Sequence, residues 1–319
     1  MDSSSSTPAF PNDPLKILVH WAPGDQGEDA LTAAAWLGRT TNIQLQCITT
    51  LLRPWAAPKV SKIGKKYKKW FKKEAQACAA ALKEALQEHG IPPEAWHEEV
   101  SLFADGTNGA QLISEAAQTF GADMILLGSH DSAYKGRLFA NSTADALLHS
   151  STCPVALTPR NPKLSKKGVT RVNFAMLEPE LNPATVQQAA HIAAQWNAPL
   201  RLVALSPTGF GEPPFSDSLQ LPENLALEWR ENTFAHLDRC RDQIQTHLPQ
   251  VQVETEIGFG SGWDGALDAI KWKKGDLLCL GSSPIGALER VFIGSQTSEI
   301  LPHVRVPVFM IPAKISSTT

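Results

Sequence analysis

Residues 123–159, DMILLGSHDSAYKGRLFANSTADALLHSSTCPVALTP, decide the fold, because the same pattern returns at residues 276–312 as DLLCLGSSPIGALERVFIGSQTSEILPHVRVPVFMIP. The offset between the stretches is 153 residues, and they align without a gap. Each has an apolar run ending in Gly-Ser, a polar loop, a segment opening on Ser, and an apolar run beginning at Pro-Val. This order predicts a βαβ unit. A gap-free match of this length indicates an internal duplication.

The chain of 319 residues has room for two domains of about 150 residues each. Apolar runs alternate with helical patterns through both halves, so we predict an α/β fold of two tandem five-stranded parallel sheets, each Rossmann-like and doubly wound. The predicted limits are a disordered Ser- and Pro-rich tail at residues 1–14, a first domain at 15–160, a polar linker at 161–168 and a second domain at 169–313.

The composition is typical of a globular protein, with 43% hydrophobic residues, 19% charged residues and a net charge of −3. No apolar run approaches the roughly 18 residues that span a bilayer. The first residues lack the basic start and apolar core of a secretion signal. The five cysteines are scattered and odd in number, which favours reduced core thiols over disulfides or metal ligands. We therefore expect a cytoplasmic protein without a transmembrane segment.

A glycine-rich turn at Gly260, Gly262 and Gly265 matches the pattern of a dinucleotide fingerprint. It follows the third strand of its half, however, whereas that fingerprint belongs in the first strand-to-helix turn. Asp264 in the same turn suits the N-cap of the next helix. We interpret the turn as structural.

Residues 59–73, KVSKIGKKYKKWFKK, carry eight lysines on a helical pattern whose opposite face is aromatic. A basic amphipathic helix of this kind can contact nucleic acid, an acidic partner or an anionic membrane. The alternative interpretation is a solvated helix face above a buried stripe. The second half has no counterpart, so the feature is local.

The repeated Gly-Ser loops are the candidate ligand site. Gly128 and Gly281 end central strands, and Ser142 and Ser295 open helices shortly afterwards. In an open parallel sheet, ligands lie beyond the carboxyl ends of strands at the topological switch point. Helix N-termini there present free N–H groups to phosphate. The alternative is capping alone, since Ser142-x-x-Asp145 fits a capping box and Ser295 an N-cap.

With these loops in both halves, the chain resembles a tandem member of the universal stress protein family. Residues 136–160, GRLFANSTADALLHSSTCPVALTPR, are similar to the form common in actinobacterial members. The resemblance implies a stress-response role. Nucleotide-binding members carry Gly-x-x-Gly, nine residues, then Gly followed by Ser or Thr, with an Asp at the end of the first strand. The resemblance thus implies an ATP site formed by Gly281, Ser282, Gly294, Ser295 and Gln296 in the second half and by Gly128, Ser129, Asn141, Ser142 and Thr143 in the first.

Both copies depart from that motif. Asp131 and Asn141 replace two glycines in the first copy, Pro284 replaces one in the second, and neither first strand ends in Asp. A carboxylate about 4 Å from a phosphate costs about 4 kcal/mol at an effective dielectric constant of ~20, on the order of a thousandfold in affinity. Pro284 fixes φ and removes one N–H. We therefore expect weak ATP binding, better preserved in the second half.

Three classes of function follow. The first is a regulatory binding protein with a degenerate adenine-nucleotide pocket, and the alternative is a nucleotide-free interaction scaffold. A slow ATPase is the least favoured, because the sequence supplies no general base or metal-ligand set for it. The adjacent residues Ser129, His130 and Asp131 cannot converge as a catalytic triad. We therefore expect that the protein is not an enzyme.

The last apolar run of each half, residues 154–158 and 306–311, predicts an exposed edge strand. Because an unpaired edge favours association with another strand, we expect the halves to pack as an internal pseudo-dimer. In the family the last strand commonly lies at a dimer contact, which leaves a homodimer of the whole chain open.

Overall fold

The structure is a computed structural model that describes residues 10, 12–24, 27–53, 61–130, 132–177, 183–207, 221–281 and 295–311. Its strands are β1 (Leu15–His20), β2 (Ile43–Leu52), β3 (Trp96–Gly106), β4 (Met124–Gly128), β5 (Val155–Thr158), β6 (Arg171–Met176), β7 (Leu200–Ser206), β8 (Val253–Phe259), β9 (Asp276–Gly281) and β10 (Val308–Ile311). Its helices are α1 (Glu28–Gly38), α2 (Ser61–Glu88), α3 (Gly109–Phe120), α4 (Ser142–Ser150), α5 (Pro183–Gln195), α6 (Leu221–His247), α7 (Gly262–Asp268) and α8 (Ser295–Ile300).

The strands form one sheet in the order β3-β2-β1-β4-β5-β10-β9-β6-β7-β8. Within each half, neighbouring strands are parallel. The predicted α/β fold, with a five-stranded parallel sheet in each half, is therefore confirmed. The strand order reverses between β1 and β4 and again between β6 and β9, and such switch points are where doubly wound sheets bind ligands.

The two five-stranded sheets join through β5 and β10, which are antiparallel. Val308 lies opposite Leu157, and Met310 lies opposite Val155. All four side chains are buried. Because each strand is the last of its half, the pairing satisfies two apolar edges that would otherwise be open to other chains. The halves therefore share one continuous sheet.

Apolar layers cover both faces of the sheet. Helices α1, α2, α5 and α6 contribute to one layer, and α3, α4, α7 and α8 to the other. In α3, for example, Ala110, Ile113 and Ala117 are buried at helical spacing. The central strands are near-continuous apolar runs because both of their faces are covered. None of the described helices is both long and apolar enough to cross a membrane.

The repeated aspartates at the starts of β4 and β9 are buried anchors. Asp123 accepts a hydrogen bond from the backbone at the start of β1 at 2.8 Å. Asp276 is fully buried and accepts from Nε and Nη2 of Arg171, both at 2.8 Å. Arg201 lies beside this pair, with its guanidinium over the ring of Trp272. The charged cluster lies at the amino ends of β6, β7 and β9, away from the ligand edge of that half.

The segment before β1 differs from the predicted disordered tail. Phe10 is only 3% exposed. Its ring stacks on Trp196 and meets Phe309 edge-on, each with a centroid distance of 5.6 Å, and Asn12 donates to Asp123 at 2.8 Å. Residues 1–9 and 11 lie outside the described residues. The tail prediction was wrong for Phe10 and Asn12, because their partners come from distant parts of the chain.

We expect Phe10→Ala to destabilise the protein by about 3 kcal/mol, the usual cost of deleting a buried phenyl ring. Urea unfolding of the intact chain measures the loss. The matched control is Phe139→Ala, since Phe139 is 50% exposed and its loss should cost about 0.5 kcal/mol or less. Equal stability of the two variants would show that the contacts of Phe10 with Trp196 and Phe309 do not stabilise the protein.

Residues 1–160 expressed without the second half should self-associate. Separation leaves the buried strand β5 without its partner β10, and an open apolar edge pairs with other chains. Sedimentation of the fragment at rising concentration, with the intact chain as control, measures the effect. A well-folded monomer at high concentration would show that the β5–β10 contact is dispensable.

Candidate functional site

A small polar pocket of about 210 Å³ lies at the first switch point, beyond the carboxyl ends of β1 and β4. Its lining includes every first-half residue that the sequence assigns to the ligand site: Gly128, Ser129, Asn141, Ser142 and Thr143. His20, Ala22, Gly27 and His130 complete the lining. The structure therefore brings the five first-half candidates together around one pocket.

Helix α4 begins at this pocket. Asn141 is its N-cap, and the side-chain oxygen Oδ1 accepts a hydrogen bond from the backbone N–H of Ala144 at 2.8 Å. Ser142 is the first helical residue. The predicted capping box at Ser142 was therefore wrong by one position, because the amide of Asn141 occupies the capping place.

Several polar side chains of the first pocket form hydrogen bonds within the protein. Ser129 donates to the carbonyl oxygen of Arg137 and accepts from the N–H of Phe139, both at 3.2 Å. His20 Nε2 lies 3.1 Å from Thr50 Oγ1, and burial lowers the pKa of His20 to about 4. The ring is therefore neutral near pH 7, and it offers no positive charge to a phosphate.

A larger cavity of about 850 Å³ lies in the second half, beyond the carboxyl ends of β6 and β7. This volume is within the usual range of small-molecule sites, about 300–1,000 Å³, whereas the first pocket is below it. Apolar residues at the strand ends, such as Met176 and Ala204, line one side. Helix α6 and residues of α7 and α8 supply the others, including Trp229, Asn232, His236, Arg239, Trp263 and Gln296.

The cavity combines aromatic rings with charged and polar groups. Trp229 comes from α6 and Trp263 from α7. The indole N–H of Trp263 donates to Glu299 Oε2 at 3.1 Å, which fixes that ring beside α8. Arg239 brings a positive charge to the α6 wall. Planar rings and a cation suit a ligand with an aromatic base and an anionic group.

The structure describes only part of the second-half motif. Gln296 lines the cavity. Gly281 ends β9, where a Cβ would lie 3.1 Å from Thr185 Oγ1. Helix α8 begins at Ser295, so its cap position lies before the described segment. The residues at the remaining motif positions, Ser282, Pro284 and Gly294, lie outside the described residues, as does Asp131 of the first copy.

Sequence reasoning missed the contribution of α6 to the cavity. Trp229, Asn232, His236 and Arg239 all line it. Their spacing of three and four residues places them on one helix face. The signal in the sequence is this stripe of aromatic and polar residues along one face of α6.

The glycine-rich turn before α7 has a packing explanation. A Cβ on Gly260 would lie 2.3 Å from the carbonyl carbon of Gly265, so the strand end and the helix approach too closely for a side chain. Ser261 occupies the N-cap position. The predicted N-cap at Asp264 was wrong: its carboxylate lies within the first turn and pairs with Arg137 of the other half at 3.0 Å.

Metal ligands and disulfides do not shape the described part of the chain. Among the described residues, no group of three or more His, Cys, Asp or Glu side chains could hold a metal ion. The five cysteines are free thiols. Cys47 and Cys279 are fully buried, and burial raises the pKa of both thiols.

The model of the universal stress protein family matches the chain twice, over residues 15–159 and 169–312. A universal stress protein of Mycobacterium tuberculosis (strain ATCC 25618 / H37Rv) is 28% identical over 300 residues, which cover 93% of this chain and 100% of that protein. A universal stress protein of Mycobacterium bovis matches with the same values. These matches confirm the tandem, actinobacterial-like resemblance drawn from the sequence.

Solved structures share the fold. A universal stress protein from Archaeoglobus fulgidus DSM 4304 has a TM-score of 0.61 at 14% identity, covering 92% of this chain and 97% of that chain. A protein of unknown function from Pseudomonas aeruginosa PAO1 has a TM-score of 0.53 at 18% identity, covering 93% and 92%. At these identities the likeness concerns the fold alone.

Protonation of His20 should lower the free energy of unfolding as the pH drops from about 6.5 to about 4. The folded pKa of about 4 lies below the ordinary value near 6.5. The unfolded chain therefore binds the proton first, and the contribution of the neutral ring is lost as the pH falls through this window. We expect a loss of about 2 kcal/mol in the free energy of unfolding, because solvent partly screens the charge on this partly buried ring.

Urea unfolding at about pH 7 and about pH 4.5 checks this window. The variant His20→Gln keeps a donor for Thr50 but cannot titrate, so it should lose less stability between the two conditions. His247→Gln, at an exposed position of α6, is the matched control and should retain the full pH dependence. Identical pH dependence in all three proteins would rule out His20 as the source.

Proposed function

Because the chain belongs to the universal stress protein family, whose role lies in the stress response, we propose that it is a regulatory protein that binds an adenine nucleotide, ATP, in its second half. The proposal rests on the cavity of about 850 Å³ at the carboxyl ends of β6 and β7. Of the two cavities described above, this one has the volume of a small-molecule site. The proposal places the protein in the cytoplasm, where ATP is made.

The lining suits the parts of a nucleotide. Trp229 and Trp263 line the cavity, and stacking of a base on an aromatic side chain contributes about 1–3 kcal/mol. Arg239 offers a guanidinium to the phosphates. Gln296, assigned to the site from the sequence, lines the same cavity from α8.

The first half is the weaker candidate. Its pocket of about 210 Å³ has room for a small anion but is below the usual size of a nucleotide site. His20 is neutral there near pH 7. The sequence adds a carboxylate, Asp131, in place of a motif glycine. Size therefore favours the second half, whose lining carries both a cation, Arg239, and a carboxylate, Glu299.

Binding in the second half should be weak, micromolar or worse. Pro284 replaces a glycine and removes one N–H from the loop after β9. Neither residue that follows β6, Leu177 or Glu178, is the Asp that nucleotide-binding relatives carry at this place, and Leu177 lines the cavity. We also propose that the protein acts by binding and not by hydrolysis, because its sequence offers no recognisable set of a general base and metal ligands.

Calorimetric titration of the intact chain with ATP tests the proposal. Arg239→Gln should weaken binding about tenfold, since a hydrogen bond to a charged group contributes about 1.5–3 kcal/mol. The matched control is Arg241→Gln, on the same helix but paired with Asp238 and Asp242 outside the cavity. Its affinity for ATP should be unchanged.

Two further variants test which half binds ATP. Gly294→Asp should abolish binding, because it places a carboxylate in the second motif. Asn141→Asp should leave binding unchanged; an Asp at that position keeps the cap of α4. Loss of binding through Asn141→Asp alone would reverse the assignment. No binding at millimolar ATP would favour the nucleotide-free scaffold, and phosphate release at saturating ATP would show a slow ATPase.

A further inference from the structure

The first half carries a basic surface that the nucleotide proposal does not use. Six lysines of α2 are exposed on one side of the helix, and we call this surface the lysine face: Lys65, Lys66, Lys68, Lys69, Lys72 and Lys73. We propose that the lysine face binds the phosphate backbone of nucleic acid without reading its sequence.

The positive charge of the lysine face is not balanced by ion pairs within the described part of the chain. The first 13 residues of α2 contain no Asp or Glu. Within the described part of the chain, none of the six ammonium groups takes part in an ion pair. A run of like charges on one helix repels itself and destabilises the helix slightly. A polyanion would relieve that repulsion.

The corresponding helix of the second half shows that the fold does not require this charge. Helix α6 occupies the equivalent place between the second and third strands of its half. Its 27 residues contain three arginines, no lysine and five acidic residues. The lysine face is therefore a property of the first half alone, and not of the duplicated frame.

The opposite face of α2 packs against β3 through Tyr67 and Phe71, although Trp70 beside them is 43% exposed. Tyr67 donates to Asp105 Oδ2 at 2.6 Å, and the rings of Phe71 and Phe103 lie 4.9 Å apart. An amphipathic helix binds a membrane by inserting its apolar face, which here would require detaching α2 from β3. Phosphate contacts require only the exposed lysines. The packing therefore favours nucleic acid over a membrane.

The geometry of the lysine face matches a phosphate backbone. At 100° and 1.5 Å per residue, the six lysines cover an arc of about 160° over a length of about 12 Å. Double-stranded DNA carries one charge per about 1.7 Å of its axis with both strands counted, so a duplex of this length contains about seven phosphates. Helix α2 contains no arginine, the residue that most often reads guanine. We therefore assign the lysines to contacts with phosphates and not with base edges.

Binding of the intact chain to a labelled duplex of random sequence, followed by fluorescence anisotropy, tests the proposal. With about six phosphate contacts, affinity should fall on the order of a thousandfold between about 50 and 200 mM salt, a logarithmic slope of about −5. Changing Lys65, Lys66, Lys68 and Lys69 to Gln should reduce the slope to about −2 and abolish binding at the higher salt. The melting temperature should not fall, because like charges are removed.

The matched control changes Lys166, Lys167, Lys273 and Lys274 to Gln. These lysines are also exposed, and the change in net charge is the same, so this variant should bind the duplex as the unchanged chain does. Equal loss in both variants would show a net-charge effect and overturn the proposal. A slope shallower than about −2 for the unchanged chain would overturn it even if the variants failed to fold. Binding to phosphatidylglycerol vesicles but not to the duplex would assign the face to membranes instead.

Discussion

The antiparallel contact of β5 with β10 is the constraint on which the rest of the architecture depends. The strands within each half are parallel, so an antiparallel junction makes the strands of the two halves run in opposite directions. The carboxyl ends of β1 and β4 therefore lie at one edge of the continuous sheet, and those of β6 and β9 at the opposite edge. Because ligands bind beyond carboxyl ends, the polar pocket and the larger cavity are separate sites that can diverge independently.

The two halves have diverged at these two separate sites. The strands are buried on both faces, so their apolar runs are restrained by packing and the repeat persists in them. The strand-end loops and the outer helices are less restrained. The first half has a pocket of about 210 Å³ and a lysine-rich α2, whereas the second has a cavity of about 850 Å³ bounded by a mildly acidic α6. One duplicated frame thus presents two different surfaces.

Contacts between distant residues account for what local reasoning missed. Phe10 precedes β1 in a segment whose composition indicates disorder, yet its ring packs on Trp196 and Phe309 of the other half. Asp264 has the residue type of an N-cap, yet its carboxylate pairs with Arg137 across the halves. In each case the partner is more than 100 residues away in the chain, and no local sequence pattern identifies it.

The sequence by itself determined the duplication, the α/β class, the five parallel strands of each half and the family, because these depend on short-range periodicity and on a gap-free repeat. It also predicted that the first-half candidates, from Gly128 to Thr143, form one site, because they flank one strand end and one helix start; they line one pocket in the structure. The sequence also pointed to pairing of the last strands, but only the tertiary structure decided that β5 and β10 pair antiparallel, and that α6 brings Trp229 and Arg239 to the second cavity. The physical reason is that helix placement over a sheet is decided by packing between elements, which no single segment encodes.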